Sequence, residues 1–264
     1  ANRITDIDKI PDVVGTPGHL ALAKTIARRS ITILKNDSLL PFERNGRKKI
    51  LNVIVADAEN YRTEIHRTNT QWPNEPVGDY LTLQLRKRYN NIESFRLDPS
   101  ANTMVVDSLM KKAKTADEFL ISVFSKARSG SGKFGLPPSL IEVVNKLIVL
   151  EKPTTVISMG SPYILSSFPN ASSYMCAYSD CEASTEAAVE ALFGEIPVLG
   201  KLPVTIPGMF QFGSGIASGQ SVLRKDAPAL VGFNRDSLNA IRTIIGRAIQ
   251  DSTFPGAQVA VVKD

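Results

Sequence analysis

The chain has 264 residues, with 31 Lys and Arg against 26 Asp and Glu and 43% hydrophobic residues, a globular composition long enough for one large domain or two small ones. No apolar run approaches the roughly 18 residues that span a bilayer, and two cysteines are too few for a disulfide framework or a zinc site. The formal charge of +5 invites an anionic partner, but its densest cluster, Arg44, Arg47, Lys48 and Lys49, has no interleaved aromatic residues and reads as a solvated loop before a strand, not as a nucleic-acid surface.

Residues 1–17 hold Pro11, Gly15 and Pro17, carry little periodicity and no charged-then-apolar leader, and read as an arriving linker. From 18 to 34 the apolar residues Leu20, Ala23, Ala27, Ile31 and Leu34 mark one helix face, which Asn36 would close. Five β-branched-rich runs follow, at 50–56, 92–97, 119–124, 154–159 and 174–178. Helical patterns near 77–89, 103–115, 138–151 and 162–168 lie between them, and Ser161-Pro162 supplies a cap and first-turn pair. A further helix at 182–193 has Asp180 placed to cap it and Gly194 placed to end it. Strand and helix alternating in this way imply a mostly parallel sheet covered on both faces, a flavodoxin-like three-layer α/β sandwich.

Cys176 and Cys181 both read as buried small apolar residues. An extended segment, 201–207, closes this domain. Gly208, Gly213, Gly215 and Gly219 with their serines then read as a flexible linker over 208–228. Beyond it, Leu238, Ile241, Ile244, Ile245, Ala248 and Ile249 form a helical stripe, and Gln258 to Val262 reads as a strand.

Two motifs bracket the predicted domain. Ala27 and Ser30-Ile31-Thr32-Ile33-Leu34, followed by Lys35-Asn36 and Leu39-Leu40-Pro41, resemble the A-x-x-S-I-x-L-L-K-N-x-x-x-L-P-L signature that opens the second domain of family 3 glycoside hydrolases. Gly200-Lys201-Leu202-Pro203-Val204-Thr205-Ile206-Pro207 resembles the G-[KR]-L-P-V-T-x-P segment that ends it. The resemblance covers about 15–207, and implies residues 1–17 as the link from an N-terminal barrel domain and 18–207 as the α/β domain. Residues 229–264 are similar to the opening helix and first strand of serine β-lactamase-like domains, without the S-x-x-K nucleophile motif.

The resemblance also carries expectations about chemistry. In this family the nucleophilic aspartate sits on the barrel, and in some members, chiefly β-glucosidases, a glutamate just after the strand equivalent to 119–124 is the acid/base. Here that stretch, Ser125 to Lys133, holds no carboxylate. This departure favours the β-N-acetylhexosaminidase branch, in which the barrel donates the proton. The resemblance thus implies a domain with no catalytic residue, cofactor or metal of its own, from a periplasmic or secreted retaining enzyme acting on terminal β-linked sugars of carbohydrates or cell-wall glycans. Loop 125–135 would lie nearest substrate, through Lys126, Arg128, Ser129 and Lys133. A β-glucosidase-type parent and a stand-alone flavodoxin-like ligand-binding module remain the alternatives.

Other candidates have plainer readings. Glu182, Glu186 and Glu190, spaced i, i+4, read as a solvated helix face, and His19 and His66 as capping or surface residues. The glycines near 130 follow a strand as a phosphate loop would, but Ala127 and Phe134 break the P-loop pattern. The apolar stripe after residue 236 predicts self-association if it finds no cover within its own chain.

Overall fold

Residues 50–56 fold as they do because both sides of the run are apolar: Ile50, Ile54 and Ala56 point into one hydrophobic cluster, and Leu51, Val53 and Val55 into another. The computed structural model describes residues 7–44, 46–57, 76–125, 135–223, 228 and 232–262. It divides into two units, Ala1–Val222 and Leu223–Asp264.

In the first unit β1 (Thr32–Asn36), β2 (Ile50–Ala56), β3 (Ile92–Leu97), β4 (Glu118–Phe124), β5 (Thr154–Ser158) and β6 (Ser173–Cys176) form one sheet in the order β1-β6-β5-β4-β2-β3. All neighbours are parallel except β1, which runs antiparallel to β6 at an edge. A short α1 (Ile10–Val13) is followed by α2 (Pro17–Ser30), α3 (Asp79–Arg86), α4 (Thr103–Thr115), α5 (Pro138–Ile148) and α6 (Glu182–Leu192). Leu81 and Leu85 of α3 and Ala187, Ala188 and Leu192 of α6 share one core with Ala27 of α2. Leu109 and Ala113 of α4 and Leu140, Val144 and Leu147 of α5 build the other. This is the expected three-layer α/β sandwich with a mostly parallel sheet.

The helix ends follow local chemistry. Thr16 Oγ1 accepts the His19 amide at 3.3 Å, and Asn102 Oδ1 accepts the Val105 amide at 3.1 Å. Gly194, at φ 67°, ends α6: its N–H donates to Ala191 O, and the Glu195 N–H donates to Glu190 O at 2.8 Å.

Several expectations are corrected. The predicted helix over 18–34 stops at Ser30, because Ile31 to Leu34 is β-branched-rich and pairs with β6, Thr32 opposite Cys176 and Ile33 opposite Met175. Gly200 packs onto this break so closely that a Cβ there would lie 2.3 Å from Ile31 O. Asn36 does not close a helix; its Oδ1 accepts the Leu39 and Leu40 amides at 3.0 and 2.9 Å and shapes the turn after β1. The described part of the arriving linker contains a 3-10 turn, Ile7–Lys9, and α1.

Residues Pro162–Ser167 are 3-10, and Ser161 makes no side-chain cap there. Cys181, not Asp180, is the N-cap of α6. It is half-buried, whereas Cys176 is buried; both are free. The segment 201–207 forms no strand: its backbone is irregular, bent at Pro203 and Val204, with Ile206 bridged to Phe210. The glycine-rich stretch to Val222 belongs to the first unit: Ile216 N–H donates to Ile33 O at 2.7 Å, and Val198 and Ser218 exchange bonds of 2.8 and 3.0 Å. The physical reason is the open edge of β1, which a neighbouring backbone can satisfy.

In the second unit α7 (Arg235–Gln250) forms as its stripe predicts, with Asn234 Oδ1 accepting the Asp236 and Ser237 amides. Residues 258–262 are not a strand; they lie without ladder partners among the described residues, and Val259 and Val261, with the preceding Ala257, line a cleft of about 360 Å³ with Leu238, Ile241 and Ile245.

Candidate functional site

A parallel sheet whose order reverses opens a crevice beyond the carboxyl ends of the strands on either side of the reversal. Here the reversal falls between β2 and β4, because the chain steps outward from β2 to β3 and then back across to β4. The two stems at this point are bonded to one another, Asp57 N–H donating to Phe124 O at 3.1 Å. From these adjacent stems the chain leaves through 58–75 and 126–134, and returns at 76 and 135.

The stem at β4 is tightly held. Ser125 is buried, and the Gly160 backbone after β5 approaches it so closely that a Cβ would fall 2.4 Å from Ser125 O, so only glycine fits. The Ser158 hydroxyl donates to Ser161 O at 2.8 Å and fixes the Gly160 turn. At the return, Gly135 takes φ 96° and Leu136 is buried in the α4/α5 core. The return of the β2 loop is shaped likewise: Gly78, at φ 84°, would drive a Cβ to 2.7 Å from Ile54 Cγ2. Neither close approach is visible from composition; Gly160 stands in the Ser-Met-Gly-Ser run at the end of β5.

Lys126, Arg128, Ser129 and Lys133 lie outside the described residues, as does His66. His19 is an exposed residue at the start of α2.

The row of glutamates on α6 is the main surprise. Arg28 grips Glu190 through two bonds of 2.7 Å, and Glu190 is buried. Lys24 pairs with Glu186 at 2.8 Å, and the Tyr80 hydroxyl donates to the same carboxylate at 2.5 Å. Burial alone would raise the Glu186 pKa, but hydrogen bonds from Lys24 and Tyr80, aided by the charges of Lys24 and Arg28, hold it below the usual carboxylate range. Burial, and the bond to Glu186, push the Tyr80 phenol up. Glu195, just past the helix, is buried and clamped by Arg88 at 2.7 and 2.9 Å and by Arg44. These carboxylates are not a solvated face. They tie α6 and the turn after it to Lys24 and Arg28 of α2, to Tyr80 of α3, and to Arg88 and Arg44, which take up their oxygens.

The basic cluster lies, as expected, in the loop that leads into β2, with Arg47 and Lys48 exposed, and three of its four residues also meet carboxylates. Besides Arg44 on Glu195, Lys48 pairs with Glu118, and Lys49 meets Glu93 at 3.5 Å while its amide donates to Asp117. Beyond the crevice, burial pushes the Tyr178 phenol up to about 12, and its hydroxyl donates to Thr32 Oγ1 at 2.9 Å. Among the described residues no three His, Cys, Asp or Glu side chains gather as a metal site, and no helix is long and apolar enough to cross a membrane. A cleft of about 500 Å³ lies at the opposite edge, between the end of β1 and the start of β5 and lined by Asp37, Ile148 and Asn170 among others, away from the strand reversal.

With this geometry in place, similarity can be read. The family model described as "Glycosyl hydrolase family 3 C-terminal domain" matches residues 31–232. No curated protein matches the chain in sequence. Among solved structures, a fungal multi-domain GH3 β-N-acetylglucosaminidase superposes with a TM-score of 0.57 at 22% identity, over 95% of this chain and 25% of its own. The GH3 β-N-acetylglucosaminidase of Paenibacillus sp. str. FPU-7 gives 0.57 at 15% identity, over 78% of this chain and 36% of its own. The β-glucosidase EmGH1 of Erythrobacter marinus gives 0.58 at 16%, over 78% and 36%. These likenesses bear on the fold, and the chain spans a quarter to little more than a third of these structures' lengths.

Proposed function

The chain belongs to the glycosyl hydrolase family 3 C-terminal domain family, and from there we propose that it is the non-catalytic α/β domain of a retaining β-glycosidase of the β-N-acetylhexosaminidase kind. In this reading the nucleophile and the proton donor lie on a preceding barrel domain, and the substrate is a terminal β-linked sugar. The observation that carries it is the stretch between the fixed stems at Ser125 and Gly135. This stretch leaves the sheet at the strand reversal, holds Lys126, Arg128, Ser129 and Lys133, and contains no carboxylate. Such a loop can hydrogen-bond sugar hydroxyls and bear positive charge, but it has no carboxyl group to serve as a glycosidase acid. The stacked carboxylates of α6 that invite assignment, Glu186 and Glu190, are already tied to Lys24 and Arg28. For residues 229–264 the finer reading, the start of a β-lactamase-like domain, rests on sequence resemblance and on the capped helix α7.

The test uses the protein joined to its barrel. Lys126→Ala or Arg128→Ala should raise KM for an aryl β-N-acetylglucosaminide several-fold and leave kcat within a few-fold, because uniform binding is lost and not the chemical step. A fall of kcat by orders of magnitude, restored by exogenous azide or formate, would place the proton donor in this loop and overturn the reading. The chain by itself should hydrolyse neither aryl β-glucosides nor aryl β-N-acetylglucosaminides.

A further inference from the structure

The cleft at the sheet edge opposite the strand reversal has about 500 Å³, within the roughly 300–1,000 Å³ of small-molecule sites. Five residue steps along β5, about 17 Å, separate Pro153 on this cleft from Ser158 beside the Gly160 turn, so it lies outside the crevice. Leu39, Ile148, Val149 and Pro153 supply its apolar lining, and Val149 is left 72% exposed.

Charge around the cleft cancels. Asp37 meets Lys35 at 3.3 Å, and Glu151 is followed by Lys152, whose ammonium donates to the carbonyls of Ala113 and Lys114 at 2.9 Å each and to that of Ala116. Two carboxylates set against two ammonium groups offer little net attraction to an ion. Three polar groups on the cleft still have bonds to give. The Glu151 carboxylate and the Asn170 amide meet no partner among the described residues, and the Ser172 hydroxyl accepts only a long bond of 3.4 Å from the Thr154 amide. A carboxylate that accepts, an amide that does both and a hydroxyl free to donate, set among aliphatic side chains, suit a neutral ligand with many hydroxyls.

Backbone strain marks the same place. Among the described residues four non-glycine residues take positive φ, and two of them belong to this cleft: Ser38, at 61° between Asp37 and Leu39, and Glu151, at 58°. Glu151 stands in the left-handed position that ends α5, its N–H donating to Ile148 O at 3.2 Å, where glycine or asparagine would sit with less strain. Neither of those would put a carboxylate on the cleft. Strained positions of this kind gather where a ligand is held.

We propose that this cleft is an accessory sugar site, which binds a neutral pyranose unit of the parent enzyme's glycan through Glu151, Asn170 and Ser172, with Leu39 and Val149 against the apolar face of the ring. The proposal rests on the functional reading above for the identity of the ligand. Its effect is to hold a glycan chain near the enzyme and raise the local concentration of its ends.

The test is a titration of this chain, followed through amide chemical shifts, with N,N′-diacetylchitobiose, with cellobiose and, as a cationic control, with spermidine. At least one disaccharide should shift the amides of 37–39, 151–152 and 170–172 and saturate with a Kd on the order of 1 mM. Asn170→Ala should weaken that binding by about fivefold or more. Glu151→Gly should weaken it as much while leaving the thermal midpoint unchanged or higher, because glycine relieves the left-handed position, so a loss of binding there is not a loss of fold. Shifts with spermidine alone, no saturable shift with either disaccharide at about 10 mM, or variants that bind like the unaltered chain overturn the proposal. Failure of the functional reading is separate: it would show as a full-length protein with no glycosidase activity, whatever this chain binds.

Discussion

Helix α6 buries eight of its eleven residues, Glu190 among them, whereas α7 buries none of its sixteen. From periodicity alone the ranking is reversed: α7 has the cleaner apolar stripe, and α6 carries a row of glutamates that reads as a wet face. The difference is one of neighbours. α6 sits over the sheet with α2 on one side and α3 on the other, so a residue on any face meets protein. Glu190 and Glu186 are accommodated there because α2 brings Arg28 and Lys24 to them and α3 brings the Tyr80 hydroxyl. α7 has, in its own unit, the unpaired segment 257–261 to pack on, and its stripe stays largely open. Amphipathicity states which side of a helix seeks cover; it does not state how many sides will find it.

The sharpest break of this comparison would be at Glu190. Glu190→Ala leaves the Arg28 guanidinium, whose side chain is only 19% exposed, without its carboxylate, and should cost about 3–5 kcal/mol in urea unfolding. Replacing both partners with methionine should recover most of that loss, since the cost lies in the orphaned charge. A loss under about 1 kcal/mol for the single variant would mean that α6 is wetter than its burial implies.

Acid titration gives the next effect. The Glu186 carboxyl is held low in the folded chain, so its contribution to stability is present above the unfolded value of about 4.3 and is lost as pH falls through the folded value. Unfolding midpoints measured between about pH 3 and 7 should fall on the acid side, and Lys24→Met should flatten that limb by removing the cation that depresses the pKa. Parallel acid limbs in the two proteins would show that Lys24 does not act on Glu186.

The smallest effect belongs to α7. Ile244 is 66% exposed, and Ile244→Ala should change stability by no more than about 0.5 kcal/mol. A loss near 2 kcal/mol would reveal that the stripe is covered after all and would erase the contrast with α6.

Much of the architecture was legible in the chain itself. Thr103–Thr115 is the helix its pattern predicts, residue for residue, and β2 spans the predicted 50–56, because a long amphipathic period or a run apolar on both sides leaves one way to be buried. Gly194 ends α6 for a reason written in one residue, its tolerance of positive φ. Tertiary structure decided what depends on distant partners. Ile31 to Leu34 fits a helix period as well as a strand, and pairing with Met175 and Cys176, more than 140 positions away, selects the strand. Gly208 to Val222 has a linker's composition, and the open edge of β1 draws it into the domain. Glu190 looks solvated until Arg28, 162 residues earlier, closes on it. Local sequence sets the conformations a segment can adopt at low cost, and the free energy of burial and pairing, which choose among them, is a property of neighbours that no local pattern contains.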